Sequence, residues 1–449
     1  MPHQDRVIPK MIRSNFMLVW DPGAGKTLPV LVAAFNLLPA QTLCIVPAHL
    51  RDQWAEQAGI YTPLMNVVVL DETKKKIPDS VFRDADMVIC SYEYASTLAR
   101  WKQLRRHRWG AIAIDEAHYL MYEDAKRVRA ILGQRGDTNG LVFAADVVWP
   151  LTGTPFTFPN QIYPILSRLF PDAIERDPDE GDGLMTPREW ENKFCVVEQT
   201  SFGAKIVNAK NIPELRRRLA PVLDKAKLRD VAPELPPLRV DTIPIRGDLR
   251  GLTKGLDPDT LEQFEVLTEI LSDDRISDQD KLNELNDSGL VMAQLRHTIA
   301  AVKVKSTVEL IRGELASGVD KVVVFGFHRE PLRALAKELD APLIYGGITD
   351  KKKANAKDEF IYDRGCRVLA GQIEAIGTGT DGLQHVAHRS IFMEASWRYI
   401  HNKQCIHRLF RKGQTLPCYT SFLTLLNSVD EYVSRVLARN AEIISKALD

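Results

Sequence analysis

Cysteine is scarce in this chain and badly spaced for binding a structural metal. Cys44, Cys90, Cys195, Cys366, Cys405 and Cys418 never stand two to four residues apart, which excludes a zinc knuckle of the C-x-x-C kind. Cys44 and Cys90 sit inside the apolar runs Thr42–Val46 and Met87–Cys90, where a thiol reads as core. A disulfide framework would be out of place, so a reducing intracellular compartment, the cytoplasm, is expected. No apolar run reaches the roughly 18 residues of a membrane span, and no signal-peptide pattern opens the chain. An excess of either charge is missing as well: 59 Lys+Arg balance 59 Asp+Glu, which excludes a histone-like polycation. A local basic groove is still compatible with that total. With 449 residues, 45% of them hydrophobic, the chain can build sizeable cores and is not globally disordered. At about 150 residues per domain the length fits three units or two large ones.

What is there begins near the N-terminus. Phe16–Trp20 is a short apolar strand pattern, followed by Asp21-Pro22-Gly23-Ala24-Gly25-Lys26-Thr27 and a helical pattern over Leu28–Leu38. Strand, glycine loop and helix in that order are the context of a phosphate-binding loop. Gly23 and Gly25 let backbone N–H groups, Ala24 included, turn inward around phosphate oxygens. Lys26 brings positive charge to the β/γ-phosphates, and the Thr27 hydroxyl is a ligand for Mg²⁺. Trp20 occupies the position where the general pattern has its first glycine.

A second strand pattern, Ala111–Ile114, ends in Asp115-Glu116-Ala117-His118. An acidic pair at a strand's C-terminal end suits Mg·ATP hydrolysis: Asp115 orients the metal through its waters, and Glu116 positions and deprotonates the attacking water. A lone acidic pair is commonly just a solvated strand end, but its occurrence with Lys26-Thr27 upstream favours the catalytic reading.

With these motifs the chain resembles the superfamily-two helicases and translocases, and within them the Swi/Snf-related branch. Met1-Pro2-His3-Gln4 is similar to the branch's opening P-Y-Q, which implies that Gln4 reads the adenine edge. Cys44-Ile45-Val46-Pro47 with Leu50 and Trp54, and Ser91-Tyr92-Glu93, resemble motifs that touch the nucleic-acid backbone. Leu151-Thr152-Gly153-Thr154-Pro155 matches L-T-G-T-P, which couples the nucleotide site to the DNA track. Lys225–Pro237 is similar to the link into the second lobe.

In the C-terminal half, Lys321–Phe325 and Val368–Ala370 read as strands and Pro331–Leu339 as a helix. The glycine-rich turn Gly377-Thr378-Gly379-Thr380-Asp381-Gly382-Leu383-Gln384 is weak evidence alone. Its place before the arginine motif marks it as the fifth motif, with Gly379 and Asp381 as candidates for nucleotide contact. Gln404–Gln414 fits Q-x-x-x-R-x-x-R-x-G-Q. The three-residue spacing of Arg408 and Arg411 puts both on one face of a helix, able to point across a cleft between lobes at the γ-phosphate. Two departures from the branch are visible: the fifth motif is longer and more polar than A-G-G-x-G-L, and Leu120-Met121-Tyr122 replaces L-K-N.

The resemblance implies an α/β fold of two tandem doubly wound parallel-sheet (RecA-like) lobes with helical protrusions: residues 1–230, a linker and protrusion over 231–290, and 291–449. ATP and Mg²⁺ are the implied cofactors. The implied function is a DNA-dependent ATPase that moves along or remodels duplex or forked DNA, through mainly sugar-phosphate contacts, as a monomer and without a membrane. The match begins within the first few residues and ends near residue 430, so almost no room is expected for an accessory chromodomain, bromodomain, zinc module or nuclease, which fits compact phage-encoded members. Two alternatives are an RNA helicase of the Asp-Glu-Ala-His type, whose sixth motif would read nearer Q-R-x-G-R-A-G-R, and an ATP-gated clamp that does not move.

Other segments carry less. Gly247–Ser288 reads as protruding helices, Asp177–Gly183 as a solvated loop, and Val429–Leu448 as an amphipathic helix. Lys74–Lys76 and Lys351–Lys353 read as solvated loops. The basic stretch Arg100–Trp109 is either an exposed helix anchored by tryptophan, the favoured reading, or a phosphate track.

Overall fold

The computed structural model is described here for all residues except 71–72, 74–76, 180, 201–202, 247–288, 378–380, 427 and 449. Two compact units emerge, one built chiefly from Met1–Gln199 and Ala204–Pro233, the other chiefly from Glu234–Ala441. Lys74–Lys76, Gly379 and residues 247–288 of the expected protrusion lie outside the described residues.

The first unit holds β1 (Met17–Trp20), β2 (Thr42–Val46), β3 (Val67–Val69), β4 (Met87–Ser91), β5 (Trp109–Ile114) and β6 (Ala145–Thr152), a short pair β7 (Cys195–Thr200) and β8 (Gly203–Ala209), and β9 (Leu223–Ala226). Seven of these strands form one sheet in the order β3-β4-β2-β5-β6-β1-β9, and every pairing in it is parallel. Every residue of β1, β2, β4 and β5 is buried. That is the pattern of a sheet covered on both faces, and it explains why these strands read as continuous apolar runs rather than alternating ones. From β1 the chain crosses three places to β2 and later returns through β5 and β6 to β1's side. The C-terminal ends of β5, β6 and β1 therefore lie side by side, with Ile114 level with Pro150 and Val19 with Thr152.

The second unit carries β10 (Leu238–Ile245), β11 (Val322–Gly326), β12 (Leu343–Ile344), β13 (Val368–Gln372), β14 (Arg389–Phe392) and β15 (Cys418–Leu425) in the order β10-β15-β14-β11-β13-β12, again all parallel. Fold class is thus α/β with two parallel sheets. Leu238–Ile245, placed by its sequence between the lobes, is the edge strand of this sheet. Its mostly exposed or half-buried residues give no apolar run to read, and Pro244 is tolerated there because an edge strand has an unpaired side.

Two segments differ from their sequence reading, and a third, the basic stretch, follows the favoured one. Lys351–Lys353 form the first turn of a helix, Asp350–Tyr362, whose N-terminus is capped by the Thr349 hydroxyl accepting from the Lys352 N–H. Asp177 is more than loop: its carboxylate accepts from Lys193 and from Arg218 at 2.8 Å, a network closed by Glu214. The basic stretch folds as the helix Leu98–Arg106, and its C-terminal end leads into the start of β5, the edge of the sheet opposite the motif-bearing strand ends. There Trp109 is buried and donates to the Leu104 carbonyl, Arg105 donates to the Thr138 carbonyl, and Arg108 pairs with Asp146.

Candidate nucleotide site

The loop after β1 has the conformation that backbone anion binding requires. Gly23 and Gly25 take positive φ (86° and 80°), the left-handed region that glycine enters without penalty, and the helix Thr27–Asn36 starts directly behind them. Lys26 donates from Nζ to the carbonyls of Trp20 (2.9 Å) and Asp21 (3.4 Å), so its ammonium folds back over the loop. Trp20, in place of the expected glycine, is fully buried, and its indole N–H donates to Asp224 at 2.8 Å. The same carboxylate takes both prongs of Arg6. Asp21 accepts from the Leu228 N–H at 2.9 Å. The bulky residue thus locks the start of the loop to β9.

The N-terminal segment lies on this loop. His3 Nε2 is 3.0 Å from the Ala24 carbonyl, and the Gln4 side-chain amide donates to the Gly25 carbonyl at 3.0 Å. In this conformation the Gln4 N–H group is spent on the loop backbone, and its Oε1 accepts from the N-terminal ammonium at 3.2 Å.

At the end of β5, Asp115 is largely buried. Its Oδ2 accepts from the Trp54 indole at 3.0 Å and its Oδ1 from the Glu116 N–H at 2.9 Å. Burial first, then the adjacent Glu116 charge, push this carboxyl up to about 6, against the opposing pull of Lys26, the Trp54 N–H and the Glu116 N–H. Glu116 adopts left-handed backbone angles (φ 51°), uncommon for a residue with a Cβ. The Tyr92 hydroxyl donates to the carbonyls of Asp115 (2.6 Å) and Glu116 (3.3 Å) and so braces that turn. Burial, followed by the two nearby carboxylates, raises the Tyr92 phenol far above its usual range, which keeps it a donor. Glu116 Oε2 is 3.1 Å from His118 Nδ1, and the same nitrogen lies 3.4 Å from the Thr152 hydroxyl. Thr152 in turn accepts from the Thr154 N–H at 3.1 Å. A Cβ on Gly153 would stand 3.0 Å from Pro22, so the loop after β6 packs closely on the phosphate loop.

Adjoining carboxylates, one of them buried and hard to ionise, form a place that a divalent cation relieves. Among the described residues no group of three or more His, Cys, Asp or Glu is arranged to hold a metal. Magnesium suits such a setting, since it is usually bound by one or two carboxylates, waters and substrate phosphate rather than by a protein cage. The residues present fit Mg·ATP.

In the second unit the helix Tyr399–Ile406 ends before either arginine. Arg408 and Arg411 therefore do not share a helical face; they lie in the turns that follow. Turn hydrogen bonds such as Arg411 N–H to the Leu409 carbonyl replace the helical ladder, and Leu409 and Phe410 are both buried there. Arg408 donates twice to the Gly377 carbonyl (3.0 and 2.6 Å), and Arg411 pairs with Asp381 at 3.2 Å. Burial lifts the Asp381 carboxyl, but Arg411, Gln384, the Gly382 N–H and Arg408 outweigh it and leave it below its usual value. The arginine motif and the fifth motif are thus one connected cluster. Sequence reasoning missed the bracing residues Trp54 and Tyr92; both lie in motifs it had assigned to nucleic acid.

A family model described as the SNF2-related domain matches residues 9–246, more than half of the chain. The chain belongs to the SNF2-related family. Similar proteins include the human DNA annealing helicase and endonuclease ZRANB3, 22% identical over 464 residues that cover 100% of this chain and 40% of that protein. Another is the SWI/SNF-related matrix-associated actin-dependent regulator of chromatin subfamily A-like protein 1 of Bos taurus, 23% identical over 443 residues, 97% of this chain and 43% of that one. This SNF2-related chain spans about two fifths of the length of those relatives. Among solved structures, the Sulfolobus solfataricus SWI2/SNF2 ATPase core in complex with dsDNA aligns over 99% of this chain and 93% of that chain, with TM-score 0.44 and 18% identity. Among the described residues no helix is long and apolar enough to cross a membrane.

Proposed function

We propose that this SNF2-related ATPase couples hydrolysis of Mg·ATP to movement along, or remodelling of, duplex or forked DNA. The observation that carries the hydrolytic half is the meeting of three motifs at the ends of adjacent parallel strands: the phosphate loop after β1, Thr152–Thr154 at β6, and Asp115-Glu116 after β5. Ligand sites of open α/β sheets form at such strand ends. The nucleic-acid half is supported by the family and by a relative named as a DNA annealing helicase.

In this reading the N–H groups of Gly23, Ala24 and Gly25 cradle phosphate, and Lys26 leaves its loop carbonyls to meet the β/γ-phosphates. Thr27 and, through water, Asp115 hold magnesium, which when bound neutralises phosphate charge. Glu116 takes the proton of the attacking water, and the contact between His118 and both Glu116 and Thr152 links that base to the motif after β6. Gln4 recognises adenine, which requires it to share or release the Gly25 carbonyl. Arg408 and Arg411 answer the charge that develops on the γ-phosphate, with Gly379 and Asp381 in nucleotide contact. Arg411 is held by Asp381 until it serves there. DNA contacts made to phosphate rather than base edges give movement without sequence preference.

The test is the steady-state ATPase rate against duplex DNA, single-stranded DNA and RNA at one stated salt concentration. Duplex or forked DNA should stimulate most, and the stimulation should fall steeply as salt rises. Greater stimulation by RNA, with unwinding of an RNA duplex, would overturn the assignment.

A further inference from the structure

Six tryptophans lie in the first unit, and their indole N–H groups do not all find the same kind of partner. Trp101, Trp109, Trp149 and Trp190 donate to backbone carbonyls, of Ala130, Leu104, Met11 and Pro159 respectively. That is the ordinary way for a buried indole to satisfy its donor. Two donate to carboxylates instead: Trp20 to Asp224, which ties the loop to β9, and Trp54 to the Oδ2 of Asp115, at 3.0 Å, from the helix Arg51–Tyr61. The other oxygen, Oδ1, takes the Glu116 N–H at 2.9 Å. One fixed donor at each oxygen sets both the plane and the rotamer of the carboxylate. An ionised carboxylate offers about four lone-pair positions, so the remaining ones are left to be aimed. The chain arriving at Asp115 is fixed too: its carbonyl accepts the Tyr92 hydroxyl at 2.6 Å, and its N–H donates to the Ile45 carbonyl at 2.9 Å.

We propose that Trp54 is a positioning residue for magnesium, acting through Asp115: its indole N–H holds the carboxylate in the one orientation that serves the metal's waters. This rests on the reading of Asp115 as the magnesium-side carboxylate. Partners that orient a metal-binding group from behind typically change metal affinity or activity by about 10- to 100-fold when removed. Here the orientation is supplied by a helix that itself has no residue among those proposed to touch nucleotide. A change in how that helix is seated would therefore be felt at the metal before it was felt at the phosphates.

Trp54→Phe tests this, because it keeps an aromatic ring in the buried space while deleting the donor, and the accompanying loss of ring volume is read separately as a lower melting temperature. Mn²⁺ affinity should be measured by EPR in the presence of a non-hydrolysable ATP analogue, alongside metal-free binding of a fluorescent ATP analogue. The expected result is a loss of about 10-fold or more in Mn²⁺ affinity with metal-free nucleotide binding unchanged. In turnover, the Mg²⁺ concentration for half-maximal rate should rise correspondingly. Unaltered Mn²⁺ affinity, with or without a lower melting temperature, means that Trp54 only packs and overturns the proposal. Should the phenylalanine variant not fold, Trp54→Met carries the same titration, since a flexible apolar side chain can fill the space without a donor. The two failures are separable. If the wild-type protein binds Mn²⁺ with nucleotide and the variant matches it, Trp54 is wrong and the site stands. If the wild type shows no metal-dependent nucleotide binding, the reading of Asp115 falls and takes this proposal with it.

Discussion

Replacing Gly25 by alanine tests the phosphate loop with a magnitude the geometry supplies. Two separate penalties apply. The residue sits at φ +80°, and an L side chain there costs about 1–2 kcal/mol whatever the space around it. The new Cβ would also stand 2.6 Å from the Gln4 Nε2, so the Gln4 side chain must swing away and give up its bond to the Gly25 carbonyl. A lost hydrogen bond of that kind is worth about 0.5–1.5 kcal/mol net. Together they come to about 1.5–3.5 kcal/mol, or roughly 10- to 300-fold in affinity where the loop must regain this shape to take phosphate. Titration of a fluorescent ATP analogue reads the loss, and a melting curve shows any part of it spent on stability instead. The Gln4→Ala background separates the penalties, because the clash is gone and only the backbone term of about 1–2 kcal/mol remains. Wild-type affinity and stability in Gly25→Ala would refute the idea that this loop must hold a left-handed turn to bind nucleotide. An equal penalty in both backgrounds would show that Gln4 does not lean on the loop.

Further outcomes follow from other parts of the site. Lys26→Ala and Glu116→Gln should both abolish turnover, but only the first should weaken ATP binding, since the glutamine keeps the shape and loses the base; equal loss of affinity in both would remove Glu116 from the role of base. Arg411→Ala should lower the DNA-stimulated kcat by on the order of 10³-fold, and Arg411→Lys should not restore it, because an ammonium cannot reproduce the planar fork; a near-normal kcat at saturating DNA would make Arg411 merely the partner of Asp381. Asp177 is held down to about 2, chiefly by the Lys193 hydrogen bond, below its ordinary value of 3.8. With the folded value depressed, its stabilisation is full above that ordinary value and is lost as pH falls toward about 2. Asp177→Asn should therefore flatten the fall in melting temperature on acidification through that window, and an unchanged pH profile would exclude the network as its source.

How much of this was legible beforehand depends on the kind of signal. Strands β1, β2, β4, β5, β11 and β13 announced themselves because buried parallel strands are written as unbroken apolar runs, and the first five of these are buried at every position. The phosphate loop and the acidic pair were legible because their chemistry needs fixed residue types at fixed spacing. Edge strand β10 was not, since a half-exposed strand has no run to show. The arginine motif was misjudged as one helix because a three-residue spacing fits a turn as well as a helix, and the helix stops at Ile406. Lys351–Lys353 look like a solvated loop in isolation, yet Thr349 two positions earlier is the helix cap that decides their conformation. Bonds such as Trp54 to Asp115 and Tyr92 to the Asp115 carbonyl join positions 61 and 23 residues apart, and no local pattern encodes them.

Movement of this protein along DNA driven by ATP hydrolysis is measured most directly by displacement of a triplex-forming strand from a duplex, which does not require strand separation of the duplex itself. Displacement should need Mg·ATP, fail with a non-hydrolysable analogue, and be lost in Glu116→Gln even though that variant still binds ATP and DNA. DNA-stimulated hydrolysis with no displacement at any triplex position would contradict it, and would leave a nucleotide-gated clamp in place of a translocase.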